Sequence, residues 1–359
     1  MDTIIKELHD AKEYGSILNV SQLNFDALYK RFDECKTEIS MYQNIIEQDL
    51  YPFVQVARAL AQKYDVVVTN PPYMGSSGMD AKLSQYVKEN YPDSKSDLFA
   101  VFIERCGQMT AQNRYQAMIT QHAWMFLSSF EKLRDKLLQM DTVNMAHLGS
   151  RAFDEIGGEV VQTTSFVLRK SHVKDYKGVY CRLIDPTTQQ GKEDMFLADE
   201  NRYESAQDNF SKIPGSPIAY WLSPAFISAF QSNKLGEMAE VITGMTTGNN
   251  NEFLRLWFEV DRNKEAIGYS RMDDIDFDKM KWIPYSKGGN RRNFYGNGDY
   301  VVNWTRKNEF NRSKTTLQHL YLRKALTWPF ISSGKFSARY LPEGYLWDVA
   351  GSPCFFESD

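Results

Sequence analysis

The chain has 359 residues, of which 42% are hydrophobic and 25% charged, with a formal net charge of −4. That length leaves room for two or three domains, and the composition is that of a globular chain, not a disordered or fibrous one. No apolar run approaches the ~18 residues of a membrane span, and the N-terminus lacks the basic-then-apolar layout of a secretory signal, so no membrane partner and a cytoplasmic location are expected.

Residues 1–63 form a helical lead-in: Ile4, Ile5 and Leu8, and later Ile39, Met41, Ile45 and Ile46, recur at helix-compatible spacings. Three valines, Val66, Val67 and Val68, then run straight into Asn70-Pro71-Pro72-Tyr73. The run predicts a short strand buried on both faces, as in a parallel sheet, which two prolines end because neither can donate to a ladder. Asn70 and Tyr73 are thereby presented at the carboxyl end of a strand, where open α/β sheets keep their ligands. The Gly/Ser-rich loop 74–80 is expected to be mobile. Ser96-Asp97 is an N-cap signal before an apolar helix that runs on to Cys106 and Met109. Strands are predicted over Tyr115–Thr120, Val143–Leu148, Val160–Leu168 and Tyr180–Ile184, with an amphipathic helix over Ser129–Leu138. This alternation is the α/β signature. Residues 186–211 are polar and expected to be connective.

From Pro214 onward the texture changes: Pro, Gly, Asn, Trp and Tyr rise and apolar runs shorten. Residues 281–340 carry twelve Lys or Arg against only Asp299 and Glu309, the electrostatic footprint of phosphate contact on an otherwise acidic chain. Within it, Lys287, Arg291 and Arg292 flank Gly288 and Gly289, which permit close backbone approach, and arginine reads guanine or clamps phosphate. These three are the candidate DNA contacts, with ordinary solvated cations as the alternative. The division expected is a lead-in over 1–63, a catalytic half over 64–212, and a mixed or β-rich second domain over 213–359. Cys35, Cys106, Cys181 and Cys354 are far apart with no CxxC pair, and the five histidines show no ligand spacing, so neither a disulfide framework nor a metal site is expected.

Asn-Pro-Pro-Tyr suits the methylation of an exocyclic amine. Such a nitrogen is a poor nucleophile because its lone pair is delocalised into the ring. Two acceptors that bind both N–H groups draw it toward tetrahedral geometry, and Asn70 offers a side-chain carbonyl while Pro71 offers a backbone one. Proline fixes φ, so the second acceptor is aimed in advance. Tyr73 gives a flat face to a base that has left its stack at a cost of roughly a few kcal/mol. The bland alternative is a Pro-Pro turn closing a strand.

The tetrapeptide and its strand resemble the catalytic motif of adenine-N6 DNA methyltransferases. The run from Lys63 to Gly75 looks like the PglX-type methyltransferases of phage-exclusion systems, with type IIG restriction–modification enzymes as cousins. The likeness continues through Asp97-Leu98-Phe99, Ala117-Met118-Ile119, the stretch Val161–Arg169, the stretch Thr243–Asn250, Tyr285–Gly289, Tyr295-Gly296-Asn297 and Val302-Asn303-Trp304. It implies part of a Rossmann-like methyltransferase sheet with a target-recognition domain after it. It implies S-adenosylmethionine as donor, double-stranded DNA as substrate, Asn70, Pro71, Pro72 and Tyr73 as the catalytic motif, Phe166 as a second wall of the base pocket, and a task in phage defence or restriction–modification.

One feature of the family is missing. Its donor-binding glycine turn precedes the Asn-Pro-Pro-Tyr strand, yet residues 1–63 hold a single glycine, Gly15. Asp348-Val349-Ala350-Gly351-Ser352-Pro353 is only faintly similar to that turn, with proline at the second glycine position, and is rejected. The expectation is therefore the C-terminal part of a larger methyltransferase, inactive alone, whose partner is the missing N-terminal half or another defence-system subunit. Two competing readings are a methyltransferase for another amine, glutamine or ribosomal RNA, and a non-enzymatic DNA-specificity module.

Overall fold

Val66, Val67 and Val68 favour extended backbone because branching at Cβ restricts their rotamers least on a pleated surface, and they form the centre of β1, Tyr64–Thr69. The computed structural model describes residues 1–37, 43–153, 161–331 and 335–356. The chain divides into two compact units, Met1–Gln231 and Ser232–Asp359. The part of the expected 160–168 strand before residue 161 lies outside the described residues, as do Ile39 and Met41.

The first unit is built on a six-stranded sheet in the order β1-β2-β4-β3-β5-β6. Its further strands are β2, Thr110–Gln121; β3, Asp141–Gly149; β4, Thr163–Arg169; β5, Lys177–Arg182; and β6, Arg202–Ala206. β1 pairs parallel with β2 and β3 parallel with β5, while β4 runs antiparallel between β2 and β3. The carboxyl ends of β1, β2, β3 and β5 therefore share one edge of the sheet. β3 and β5 lie close at Gly178, where an added Cβ would fall 2.2 Å from the Thr142 carbonyl oxygen.

The helix Leu98–Met109 begins where its sequence says it should: Asp97 accepts from the Phe99 amide and satisfies one of the otherwise unpaired N-terminal donors. It buries Phe99, Ala100, Ile103 and Cys106 in a core shared with Met118, Trp124, Phe130, Leu133, Phe166 and Tyr180. The helices before β1 close a second core through Ile4, Leu8, Phe25, Phe32, Val54 and Ala57.

Two sequence expectations need correction. β1 is not buried on both faces: Val67 packs on the main core, but Val66 and Val68 are 56% and 71% exposed. The cause is position, since among the described residues β1 is an edge strand and nothing covers the face opposite Val67. Nor is 186–211 merely connective. It holds the helix Gln189–Leu197, capped by the Thr188 side chain, and β6, which pairs antiparallel with β5.

The second unit is rich in short strands, as its composition suggests. One sheet orders β13-β9-β10-β8 and the other β12-β11-β14-β7. The strands are β7, Ala239–Val241; β8, Leu254–Leu256; β9, Trp282–Ser286; β10, Tyr300–Asn303; β11, Ala325–Thr327; β12, Arg339–Leu341; β13, Leu346–Trp347; and β14, Pro353–Phe356. Its core gathers Tyr285, Trp304, Tyr321, Trp347 and Phe355. The fold is α/β in the first unit and β-rich in the second. Among the described residues, no helix is long and apolar enough to cross a membrane.

Candidate functional site

The parallel pairing of β1 with β2 sets Thr69 opposite Met118, so Asn70 leaves the sheet at its carboxyl edge. Pro71 is buried, while Asn70 and Pro72 are exposed. Neither the Asn70 side chain nor the Pro71 carbonyl is engaged by another described residue. Two acceptors on consecutive residues, one on a side chain and one on the backbone, are thus left free among the described residues.

The loop after Tyr73 is fastened. The Met74 amide donates to Asp97 Oδ1 at 3.1 Å, Leu98 N–H to the Met74 carbonyl at 2.9 Å, and Ser76 N–H to the Ser96 carbonyl at 3.0 Å. A stretch expected to be mobile is in this way stitched to a helix N-terminus. Asp97 serves both sides of the seam, and burial pushes its carboxyl above the usual aspartate range against the pull of the Phe99, Met74 and Leu98 amides. The sequence marked Asp97 as a cap but gave no sign of this second role.

Tyr73 is half-buried. Its ring meets Phe99 edge-on at 6.1 Å and 83°, and its buried hydroxyl has no partner among the described residues. Burial raises its pKa. Phe166 lies in the same core as the ring of Tyr73, but it is only 1% exposed and set edge-on against Trp124 at 5.3 Å. It shapes the packing under the carboxyl edge and offers no open face.

A second polar group lies on that edge. His122, the first residue after β2, places Nδ1 2.7 Å from His147 Nε2 on β3, and His147 Nδ1 lies 3.1 Å from the Tyr220 hydroxyl. Phe126 packs against both imidazoles. Sequence spacing could not have found this chain, because its members lie 25 and 73 residues apart. Burial first, and then the charges of His122, Arg182 and Lys192, push His147 down to about 3, and burial lowers His122 as well.

This arrangement makes stability depend on pH. Unfolded histidine titrates near 6.5, so between that value and about 3 the unfolded chain binds a proton on His147 that the folded chain refuses. The stabilisation is complete above about pH 6.5 and is lost as the pH falls toward the folded value, the loss reaching on the order of 2 kcal/mol at pH 5. His147→Gln is expected to flatten the dependence of the urea midpoint between pH 7 and 5. An equally steep profile in that variant would refute the assignment.

In the second unit Lys287 turns inward. Its Nζ lies 2.7 Å from Asp348 Oδ2, and the Tyr285 hydroxyl donates to the same oxygen at 2.8 Å. Asp348 is 2% exposed and also accepts from the Ala350 N–H, so its carboxylate is occupied. Gly288 allows the crossing, with φ of +80° and a would-be Cβ 2.4 Å from the Ala350 carbonyl oxygen. Beyond it Arg291 and Arg292 are exposed, the first donating to the Lys335 carbonyl and the second to Asn297 Oδ1, each at 3.1 Å. Phe294 and Tyr295 beside them, and Phe336 and Tyr340 on the neighbouring segment, are also exposed. The two segments run together through the Phe294–Ala338 and Tyr340–Phe294 backbone bonds. Lys287 thus braces from within the loop that carries the two arginines.

The sequence profile of the Eco57I restriction-modification methylase family matches residues 6–151, which take in the whole of β1, Asn-Pro-Pro-Tyr and β2. The adenine-specific methyltransferase PglX of Lacticaseibacillus casei (strain Zhang) is 43% identical over 96% of this chain. The adenine-specific methyltransferase BrxX of Escherichia coli O9:H4 (strain HS) is 40% identical over 97% of it. Over nearly its whole length the chain is thus similar to proteins named adenine-specific methyltransferases. It spans 30% of the length of PglX and 29% of that of BrxX. A solved structure of the Type IIL restriction-modification enzyme MmeI in complex with DNA aligns over 88% of the chain and 43% of its own, at a TM-score of 0.48 and 10% identity, a likeness too distant to carry a role for any residue. The similarity makes S-adenosylmethionine the implied donor. The described residues do not fit it: before β1 there is no strand running through a glycine turn into a helix, and the edge of β1 is unpaired.

Proposed function

We propose that this chain is the base-holding and DNA-reading part of an adenine-N6 DNA methyltransferase, and that the methyl donor is seated by a segment this chain does not include. The observation that carries the reading is the pair of free acceptors, Asn70 Oδ1 and the Pro71 carbonyl, at the carboxyl edge of a parallel strand pair inside the family-matched segment. Asn70 and Pro71 accept the two N–H groups of a flipped adenine and draw its nitrogen out of conjugation. Pro72 and the Asp97 seam hold the loop so that the Pro71 acceptor need not be ordered on binding. Tyr73, supported edge-on by Phe99, lines the base. Phe166 and Trp124 support that wall from beneath.

Arg291 and Arg292, with the exposed rings of Phe294 and Tyr295, make the DNA contact, where cations meet phosphate and rings meet bases. Lys287 contributes through the Asp348 brace. Charge removal at Arg291 and Arg292 should weaken duplex binding and flatten its salt dependence. The task is host marking or phage defence within a restriction–modification type of system.

Two measurements test this. Calorimetry of the isolated chain with S-adenosylmethionine is expected to show no binding, and a micromolar dissociation constant would overturn the separate seating of the donor. Co-expression with the remaining segments of the Lacticaseibacillus casei relative is expected to restore N6-methyladenine in duplex DNA, read by mass spectrometry of nucleosides. Its absence from an assembled, donor-binding complex would sink the proposed activity.

A further inference from the structure

Arg339 opens β12 and is 0% exposed, yet none of its three guanidinium nitrogens has a hydrogen-bond partner among the described residues. Guanidinium does not deprotonate in a protein, so the fold holds a full positive charge with nothing on it. Burying such a group unpaired is among the costliest choices a fold can make. The groups around it deepen the deficit. Thr327 lies directly opposite on β11, so the two side chains share one side of the pair. The Thr327 hydroxyl is buried and also has no partner among the described residues. Ser337, two residues before Arg339, carries a second buried hydroxyl without a partner among the described residues. The charge that acts on Arg339 is that of Arg292, a second cation, and burial first, then that charge, pulls the Arg339 pKa down. No carboxylate among the described residues forms an ion pair with Arg339.

We propose that Arg339, Ser337 and Thr327, with Arg292 beside them, hold a phosphate-class oxyanion. A guanidinium fork engages two oxygens of such an ion at once, and the two hydroxyls donate to the others. Four oxygens match this excess of donors better than the two of a carboxylate. The ion is either free phosphate or a phosphate of the nucleic-acid backbone. The site is independent of the Asn70 reading, since it neither holds a base nor transfers a methyl group.

Thermal unfolding of the full chain in inorganic phosphate, against chloride at equal ionic strength, separates the sources. If the ion is free phosphate, the wild-type midpoint rises saturably, Arg339→Met abolishes the rise, and the double variant Thr327→Val, Ser337→Ala shrinks it. If the ion belongs to DNA, phosphate alone produces no rise, and Arg339→Met lowers the salt slope of duplex binding by about one. Should Arg339→Met not fold, the double variant decides alone, by a smaller phosphate rise or a weaker duplex affinity. The proposal is overturned if a phosphate rise seen in the wild type persists undiminished in the variants, or if neither a phosphate rise nor the duplex binding depends on these residues. Both readouts stand without methylation, so their failure is distinguishable from failure of the proposed activity.

Discussion

Asn70→Ala in the reassembled methyltransferase is expected to cut the rate of adenine methylation by about 10²–10³-fold, the usual effect of deleting one preorganised group that acts on the reacting atoms. The amine would keep the Pro71 carbonyl and lose its second acceptor, so its nitrogen would stay flatter and its lone pair delocalised. The loss should appear in kcat and in kcat/KM together, because the interaction grows as the nitrogen pyramidalises. Duplex affinity should hold within about two-fold, since in the proposed role Asn70 would contact a single base of a long interface. Fold stability should hold as well, because the side chain is exposed and makes no bond to another described residue. Asn70→Asp keeps an acceptor in place and should retain more activity than alanine. Unchanged methylation by the alanine variant would mean that the tetrapeptide is a strand-closing turn and nothing more.

What the sequence disclosed depended on whether the governing interaction was local. The valine run, the two prolines and the Asp97 cap are each decided within a few residues, and the strand, its end and the helix start could be read from them. Exposure could not. Whether Val66 and Val68 are covered depends on what lies beyond the edge of β1, which no local pattern encodes. The strand Arg202–Ala206 has little hydrophobic alternation and forms because β5 offers it an edge, so its polar surroundings hid it.

The same rule divides the candidate sites. Asn70 and Tyr73 could be singled out because the motif is contiguous. The His122–His147–Tyr220 chain could not, because it is assembled by the β2–β4–β3 pairing. Lys287 looked like its neighbours Arg291 and Arg292 on paper. The difference is made by Asp348, 61 residues away, which draws one cation inward and leaves the other two exposed. Arg339 counted toward the basic block by charge, yet it is wholly buried. A charge tally therefore overstates the surface charge of residues 281–340.

Arg134→Met is expected to destabilise the first unit by about 3–5 kcal/mol, the range for mutations that strip charge-assisted bonds from several buried acceptors at once. Arg134 is 1% exposed. Its Nε and Nη2 donate to the Gly215 carbonyl at 2.9 and 2.6 Å, and its Nη1 donates to the carbonyls of Trp124 and Leu127 at 2.8 and 2.7 Å. Methionine fills much of the space but leaves three carbonyls without that donor. The first-unit midpoint should fall by on the order of 10 °C, monitored through the near-ultraviolet signal of the buried Trp124. Arg134→Lys should lie between, since a point ammonium cannot span carbonyls on both sides as a planar fork does. The effect should reach the carboxyl edge, because the turn His122–Met125 that Arg134 pins carries His122 into its contact with His147. Loosening that turn should also remove part of the acid sensitivity assigned to His147. A variant as stable as the wild type, with its pH profile intact, would show that solvent replaces the guanidinium and that the turn is held by its aromatic packing alone.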